Sequence, residues 1–199
     1  MGSKLRKRSI LRPDGYEKRF ERHKYMQNRK LSEKCFQEIF YSMQLINFAV
    51  LYMSEEDGGF DFTKTKLRNF NKIITRHNQE YDEGGFISTA VELDHKKKLG
   101  FDCYKEAVNF PYRSKMKMFG GKVKDMKQYN IVLTSIDGAI ETYLILAIHT
   151  LRENYRFSKE MVWKWWDKFK EVSHIYAEGA NDEFIIKYIK DECGLVINK

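Results

Sequence analysis

Two stretches of the sequence decide the fold: FTKTKLRNFNKIITRHNQEYDEG at residues 62–84 and FSKEMVWKWWDKFKEVSHIYAEG at residues 157–179. Each begins with Phe, a hydroxyl residue and Lys, and each ends with Glu-Gly. Thr63 and Ser158 are of the type preferred at helix N-caps, and Gly is typical of helix C-termini. Large apolar residues recur between these ends at helical spacing, namely Leu67, Phe70, Ile74, Tyr81, Val162, Trp165, Phe169 and Tyr176. Each stretch is therefore predicted to form one amphipathic helix.

The correspondence between the two stretches extends in both directions along the chain. The shift is 95 positions within the stretches, and three extra residues lie in the upstream loop of the first copy. The further matches are Ala49-Val50 with Ala147-Ile148, Ala90-Val91 with Phe184-Ile185, and Leu99-Gly100 with Cys193-Gly194. This pattern predicts an all-α protein, a helical bundle built from a degenerate tandem repeat of a three-helix unit.

A long N-terminal helix is predicted before the first repeat helix. Asp14 and Glu17 resemble a capping box, and the helix is expected to continue to about Ser54. Its second half has a core stripe of Phe36, Ile39, Phe40, Met43, Ile46, Phe48 and Val50. Further helices are predicted at 63–82, 87–99, 102–109, 123–153, 159–177 and 181–193.

Four segments follow from this pattern. They are a basic N-terminal arm at 1–30, a first helical repeat at 31–110, a linker at 111–134 and a second helical repeat at 135–199. Pro111 and the pair Gly120-Gly121 mark the linker. Because three short helices enclose only a small core, the two repeats are expected to pack as one compact domain.

Composition favours a globular protein of the cytosol. Hydrophobic residues make up 42% of the 199 residues, with only 2 Pro. No run of about 18 apolar residues and no signal peptide is evident, so we expect no membrane span and a cytoplasmic location. The three cysteines Cys35, Cys103 and Cys193 have no metal-ligand spacing and are interpreted as reduced core thiols.

The positive charge is concentrated at the N-terminus. The net charge is +8, and residues 1–30 alone carry eleven basic against three acidic residues, whereas residues 31–199 carry 25 of each. Such asymmetry is typical of a protein that meets a polyanion, and the arm is predicted to bind nucleic acid, RNA or DNA. The candidate residues are Lys4, Arg6, Lys7, Arg8, Arg12, Lys18, Arg19, Arg22, Lys24, Arg29 and Lys30, with Tyr16, Phe20 and Tyr25 for base stacking. A solubilising tail and an acidic protein surface remain the alternatives.

A second candidate surface is a tryptophan outside the apolar stripe of the second repeat. Trp165 and Trp166 follow helical spacing and are predicted to be core residues, whereas Trp163 does not. If exposed, Trp163 with Lys159 and Lys164 would suit a protein partner, since Trp is enriched at interface hot spots.

The first repeat has polar residues where the second has apolar ones. Asn71, His77, Asp94 and His95 stand where Trp166, Val172, Tyr188 and Ile189 stand in the second repeat. Such residues must be hydrogen-bonded, ligated or exposed. Two hypotheses follow: either this face touches solvent or another element, or His77, Asp94 and His95 hold a divalent metal.

No catalytic motif is evident. Neither a nucleophile with its base nor paired magnesium-binding carboxylates occur at a recognisable spacing, and Phe119-Gly120-Gly121-Lys122 lacks the spacing of a phosphate loop. The chain is therefore predicted not to be an enzyme and to use no cofactor or metal.

The second repeat also resembles a known group of proteins. Tyr155-Arg156-Phe157-Ser158-Lys159, Tyr176-Ala177-Glu178-Gly179 and Asp191-Glu192-Cys193-Gly194-Leu195 resemble small helical proteins from the early and replication regions of phages and prophages of Gram-positive bacteria. The resemblance covers 147–197, more faintly 49–103, and implies a mobile-element setting but no catalytic residue. The predicted function is a phage accessory protein that binds nucleic acid or a nucleoprotein. The alternative is an inhibitor of a host defence nuclease, of the anti-CRISPR type.

Overall fold

The computed structural model describes residues 16–82 and 88–179, and the side chains of 28–81 and 89–179. Within these ranges every regular element is an α-helix, which confirms the all-α prediction. The helices are α1 (Tyr16–Tyr52), α2 (Lys64–Asp82), α3 (Ser88–Leu99), α4 (Cys103–Asn109), α5 (Tyr112–Phe119), α6 (Met126–Tyr155) and α7 (Lys159–Glu178). The predicted helix at 181–193 and Cys193 lie outside the described residues.

The two longest helices, α1 and α6, lie side by side at the centre of the bundle. Ser32 Oγ is 2.7 Å from Ser135 Oγ, and further along the rings of Phe40 and Tyr143 are 5.1 Å apart. These contacts advance in the same direction along both helices, so α1 and α6 run parallel. Fully buried residues along them include Ile39, Met43, Ile46, Phe48, Val50, Val132, Ile136, Ile140 and Leu144. The predicted core stripe of α1 is confirmed, except that Phe36 and Phe40 are only partly buried.

The helices α2 and α7 begin in the same way, but each packs against a different one of the two long helices. α2 packs against α6, and α7 packs against α1. Asp61 and Arg156, which precede them, have left-handed φ angles of 48° and 58°. A buried Phe follows each, and then Thr63 or Ser158 caps the helix by accepting the backbone N–H three residues ahead, at 3.3 Å in both cases. The fully buried residues are Leu67, Phe70 and Ile74 of α2, and Val162, Trp165, Trp166 and Phe169 of α7. The predicted N-caps and core tryptophans are therefore confirmed.

The segment 111–134 was predicted to be a linker, but much of it is helical. α5 lies inside it, and α6 begins at Met126. Pro111 is the N-cap of α5, and Gly120 ends that helix with a left-handed φ of 60°. Pro111 and Gly120, which were predicted to mark a linker, therefore mark the two ends of a helix. α5 packs against α1 and α7 and buries Phe119, so the middle of the chain contributes to the core.

One described helix, α6, is long and apolar enough to cross a membrane by length and composition alone. This differs from the expectation that no such segment exists. In the bundle, 61% of its most apolar window is buried inside the protein. Neighbouring helices cover α6 on several sides, and a helix covered in this way is expected to be apolar around most of its surface.

Candidate nucleic-acid interface

The basic N-terminal segment continues directly into α1. Tyr16 lies sixteen residues before Ser32, and Met126 lies nine residues before Ser135. Because Ser32 and Ser135 are in contact and the helices are parallel, the first two turns of α1 extend past the start of α6, by about 10 Å at 1.5 Å per residue.

The predicted arm residues divide between this helix and the chain before it. Arg29 and Lys30 are exposed, and Arg29 pairs with Glu33 at 2.7 Å. Seven arm residues lie on the helical backbone of α1, and their side chains are outside the described set. They are Tyr16, Lys18, Arg19, Phe20, Arg22, Lys24 and Tyr25. The residues wholly outside the described ranges are Lys4, Arg6, Lys7, Arg8 and Arg12.

A second set of cations, which sequence reasoning missed, lies on α1, α5 and the start of α6. We call it the basic rim, and it consists of the exposed residues Lys34, Lys117, Lys122, Lys124 and Lys127. None of the ion pairs between described side chains involves these lysines. A small cleft of about 160 Å³ joins Lys34 of α1 to Lys117 and the Gly120-Gly121 turn. The fold brings Lys34 and Lys117 together at this cleft, and Lys122, Lys124 and Lys127 follow Lys117 along the α5–α6 connection and the first turn of α6.

A larger cleft of about 720 Å³ opens between α1 and the end of α2. Its walls combine aromatic rings with amides and carboxylates. The lining residues are Ser32, Glu33, Phe36, Gln37, Glu38, Phe40, Tyr41, Gln44, Asn78 and Tyr81. Glu38 and Tyr41 line the small cleft as well, so the two clefts are neighbours. We call the larger one the aromatic cleft.

The polar residues of α3 contact other elements of the bundle. Asp94 forms ion pairs with Lys98 at 2.8 Å and Arg152 at 2.9 Å. Hydrogen bonds from Lys98 and Arg152 lower the pKa of Asp94 to about 2. His95 is fully buried, with its Nδ1 4.0 Å from Cys103 Sγ. Burial, with Arg152 nearby, lowers the pKa of His95 to about 4, so its imidazole is neutral at pH 7.

His77 of α2 also faces another helix rather than joining Asp94 and His95. Its Nδ1 lies 3.4 Å from Thr150 Oγ1, and its ring centroid lies 5.3 Å from that of His149. Burial and the neighbouring His149 lower the pKa of His77. No group of three or more His, Cys, Asp and Glu among the described residues could hold a metal ion. The metal hypothesis for His77, Asp94 and His95 is therefore wrong, and these side chains contact neighbouring elements.

The two described cysteines are buried, as predicted. Burial raises the pKa of Cys35 to about 12, and burial also raises the pKa of Cys103. Both side chains are therefore protonated thiols at neutral pH, and a protonated thiol is a weak nucleophile.

Trp163 joins α7 to the end of α3. Its Nε1–H donates to the carbonyl oxygen of Leu99 at 3.1 Å, and its ring centroid is 4.8 Å from that of Phe101. Lys159 and Lys164 are exposed on either side. The indole therefore packs partly inside the protein, and less of its surface is available to a protein partner.

The chain matches no known protein-family model, no curated protein and no solved structure. The chemistry of the surfaces described above is therefore what indicates a function.

Proposed function

We propose that this protein is a non-enzymatic accessory protein of a phage or related mobile element, acting in the host cytosol. It binds nucleic acid, or a nucleoprotein, through the basic segment of residues 4–30. The observation that carries this proposal is that the basic first turns of α1 extend past the start of α6, and that the basic rim adds exposed lysines on α1, α5 and the start of α6. The mobile-element setting is supported by the resemblance of the second repeat to phage proteins.

Electrostatics explain why this arrangement suits a polyanion. Each phosphate that Lys or Arg neutralises releases condensed counterions, and this term dominates non-specific affinity. A helix whose first turns extend past its neighbour α6 can contact a phosphate backbone on the side that α6 would otherwise cover. The basic rim continues the cationic surface from α1 onto the α5–α6 connection, which increases the number of phosphates that one strand can contact.

The alternative function, an inhibitor of a host defence nuclease, depends more on a protein interface at Trp163 with Lys159 and Lys164. The indole N–H is already donated to Leu99, and the ring packs beside Phe101. These contacts favour direct nucleic acid binding as the main activity.

We also infer that the body consists of one helical unit used twice, related by a pseudo-twofold axis. Phe60 contacts Phe157 with ring centroids 5.0 Å apart, and Phe62 contacts Tyr155 at 4.8 Å. A shift of 95 positions exchanges these two contacts, since it takes residue 60 to 155 and residue 62 to 157. The matching left-handed residues, N-caps and buried stripes of α2 and α7 support the same relation.

The test is a titration of the full chain with labelled single-stranded RNA, single-stranded DNA and duplex DNA at two salt concentrations. The key variant carries Lys18→Gln, Arg19→Gln, Arg22→Gln and Lys24→Gln. If each cation neutralises one phosphate, the slope of log affinity against log salt falls by about 0.7 per lost contact for a single strand and by about 0.9 for a duplex.

The matched control removes the same charge from α2, α3 and α4. It carries Arg68→Gln, Lys72→Gln, Lys97→Gln and Lys105→Gln, all at exposed positions outside the basic rim. The control is expected to keep most of the affinity and the salt slope of the wild type. No binding by the wild type at low salt, or equal losses in both variants, would contradict the proposal.

A further inference from the structure

We infer that the aromatic cleft binds the bases of a single-stranded nucleic acid whose phosphates lie on the basic rim and the exposed face of α1. This inference rests on the proposed function and adds the class of nucleic acid that the protein prefers. The cleft's size suits such a ligand, since about 720 Å³ lies within the range of about 300–1,000 Å³ for small-molecule sites. One or two unpaired bases can enter a space of that size.

The walls of the cleft have the chemistry that base recognition uses. Phe36 and Phe40 stack with centroids 6.0 Å apart, and Tyr41 and Tyr81 add two further rings to the lining. Unpaired bases stack on aromatic side chains in proteins that bind single strands, because every base has an aromatic face. All four rings are partly buried, and Phe40 also packs edge-on against Tyr143, so the parts of these rings that face the cleft offer a stacking surface independent of sequence.

Amide groups in the same cleft can pair with the edge of a base. Asn78 Oδ1 is buried and has no hydrogen-bond partner among the described residues. Because this oxygen has almost no solvent-accessible surface, a base N–H in the cleft reaches it only when the Asn78 side chain rotates, and the hydrogen bond gained then relieves the cost of the unpaired acceptor. Gln37 supplies a second amide in the lining. Amide side chains pair with adenine through a donor and an acceptor together, and amino groups of other bases can donate to the oxygen alone.

The charges around the cleft indicate which part of a nucleotide faces inward. Glu33 and Glu38 are part of the lining, so a phosphate inside the cleft would meet carboxylates. The cations lie at its edge instead: Arg29 contacts Glu33, and Lys34 lines the adjoining small cleft. A nucleotide therefore fits with its base inward and its phosphate outward. A duplex cannot adopt this arrangement without unpairing, because its bases are stacked inside the helix.

The experiment compares two substitutions in the cleft with a matched one elsewhere, all in the full chain. Phe36→Leu keeps an apolar side chain and removes the ring, and Asn78→Leu removes the buried amide at similar volume. Tyr104→Leu removes an aromatic ring that is 59% exposed on α4, away from the cleft. Each protein is titrated with a fluorescent single-stranded 12-mer and with the duplex of the same sequence. Urea unfolding of each variant shows whether its fold is intact.

We expect single-strand affinity to fall about five- to a hundredfold in Phe36→Leu, in the range measured for loss of one stacked base. Asn78→Leu should lose affinity too while its unfolding midpoint stays level or rises, an outcome that a merely structural role would not give. Because neither change removes a charge, the salt slope and the duplex affinity should stay as in the wild type. Tyr104→Leu should bind like the wild type.

Two outcomes separate this inference from the proposed function. If the wild type binds nucleic acid with a steep salt dependence, and both cleft variants bind the single strand equally well, the base site is refuted and the proposed function stands. If the wild type binds neither the single strand nor the duplex at low salt, both are refuted. Tighter binding of the duplex than of the single strand would also overturn the base site.

Discussion

The helices α2 and α7 have the same start, but their buried residues differ in chemistry. Where α7 buries Trp166 and Val172, α2 has Asn71 and His77. Asn71 accepts a hydrogen bond from Gln44 of α1, and His77 contacts Thr150 of α6. The comparison teaches that one backbone arrangement tolerates either apolar or polar contacts at these positions, provided that the polar groups find partners on the facing helix.

The first prediction tests how strongly each helix depends on its central aromatic residue. Trp165 and Phe70 occupy corresponding positions and are both fully buried. Trp165→Ala is expected to lower the free energy of unfolding by about 5 kcal/mol and Phe70→Ala by about 3 kcal/mol. The difference arises because Trp165 Nε1–H also donates to Asn47 Oδ1 at 2.8 Å, and Asn47 is fully buried.

Urea unfolding followed by circular dichroism measures both values. If Trp165→Ala does not fold, Trp165→Phe retains a ring, and its loss of stability still reports the indole hydrogen bond and the lost volume. A larger loss for Phe70→Ala than for Trp165→Ala would contradict the view that α7 is the better-anchored of the two helices.

The second prediction concerns the dependence of stability on pH, which follows from histidines that burial keeps neutral. His95 has a folded-state pKa of about 4, below the usual value of 6.5. As pH falls below 6.5 the unfolded chain takes up a proton that the folded chain does not, so stability decreases until the pH passes about 4. The loss attributable to His95 is on the order of 3 kcal/mol, and burial lowers the pKa of His77 and His149 in the same direction.

The measurement is the free energy of unfolding between pH 7 and pH 4. His95→Leu should flatten this profile. A wild-type stability that stays constant down to pH 4 would refute the assignment of a neutral buried imidazole at His95.

Features encoded by local spacing were predictable, and features made by tertiary contact were not. The N-caps Thr63 and Ser158 and the burial of Trp165 follow from spacing and capping chemistry within one helix. The basic rim and the aromatic cleft were missed because their residues are far apart in sequence, such as Lys34 with Lys117, and meet only through the packing of α1 against α5. α5 was interpreted as part of a linker because Pro111 and Gly120 break the pattern at both ends of a short helix.

The last and smallest effect is expected when a residue of α7 is moved to the corresponding position of α2. His77→Val introduces the residue found at position 172, where Val is 9% exposed. Thr150 Oγ1 still donates to the carbonyl oxygen of Leu146 at 2.8 Å, so removal of the imidazole leaves no buried hydroxyl unpaired. At pH 7 the free energy of unfolding should therefore change by less than about 1 kcal/mol. Below pH 6.5 the variant should lose less stability than the wild type, since it no longer carries an imidazole with a lowered pKa.

The reciprocal change, Val172→His, puts a polar ring on the apolar face of α7 and should be clearly more destabilising at pH 7. Equal effects of the two exchanges in urea unfolding would mean that α2 and α7 do not differ in the polarity of their surroundings, and the comparison between the two halves would lose its basis.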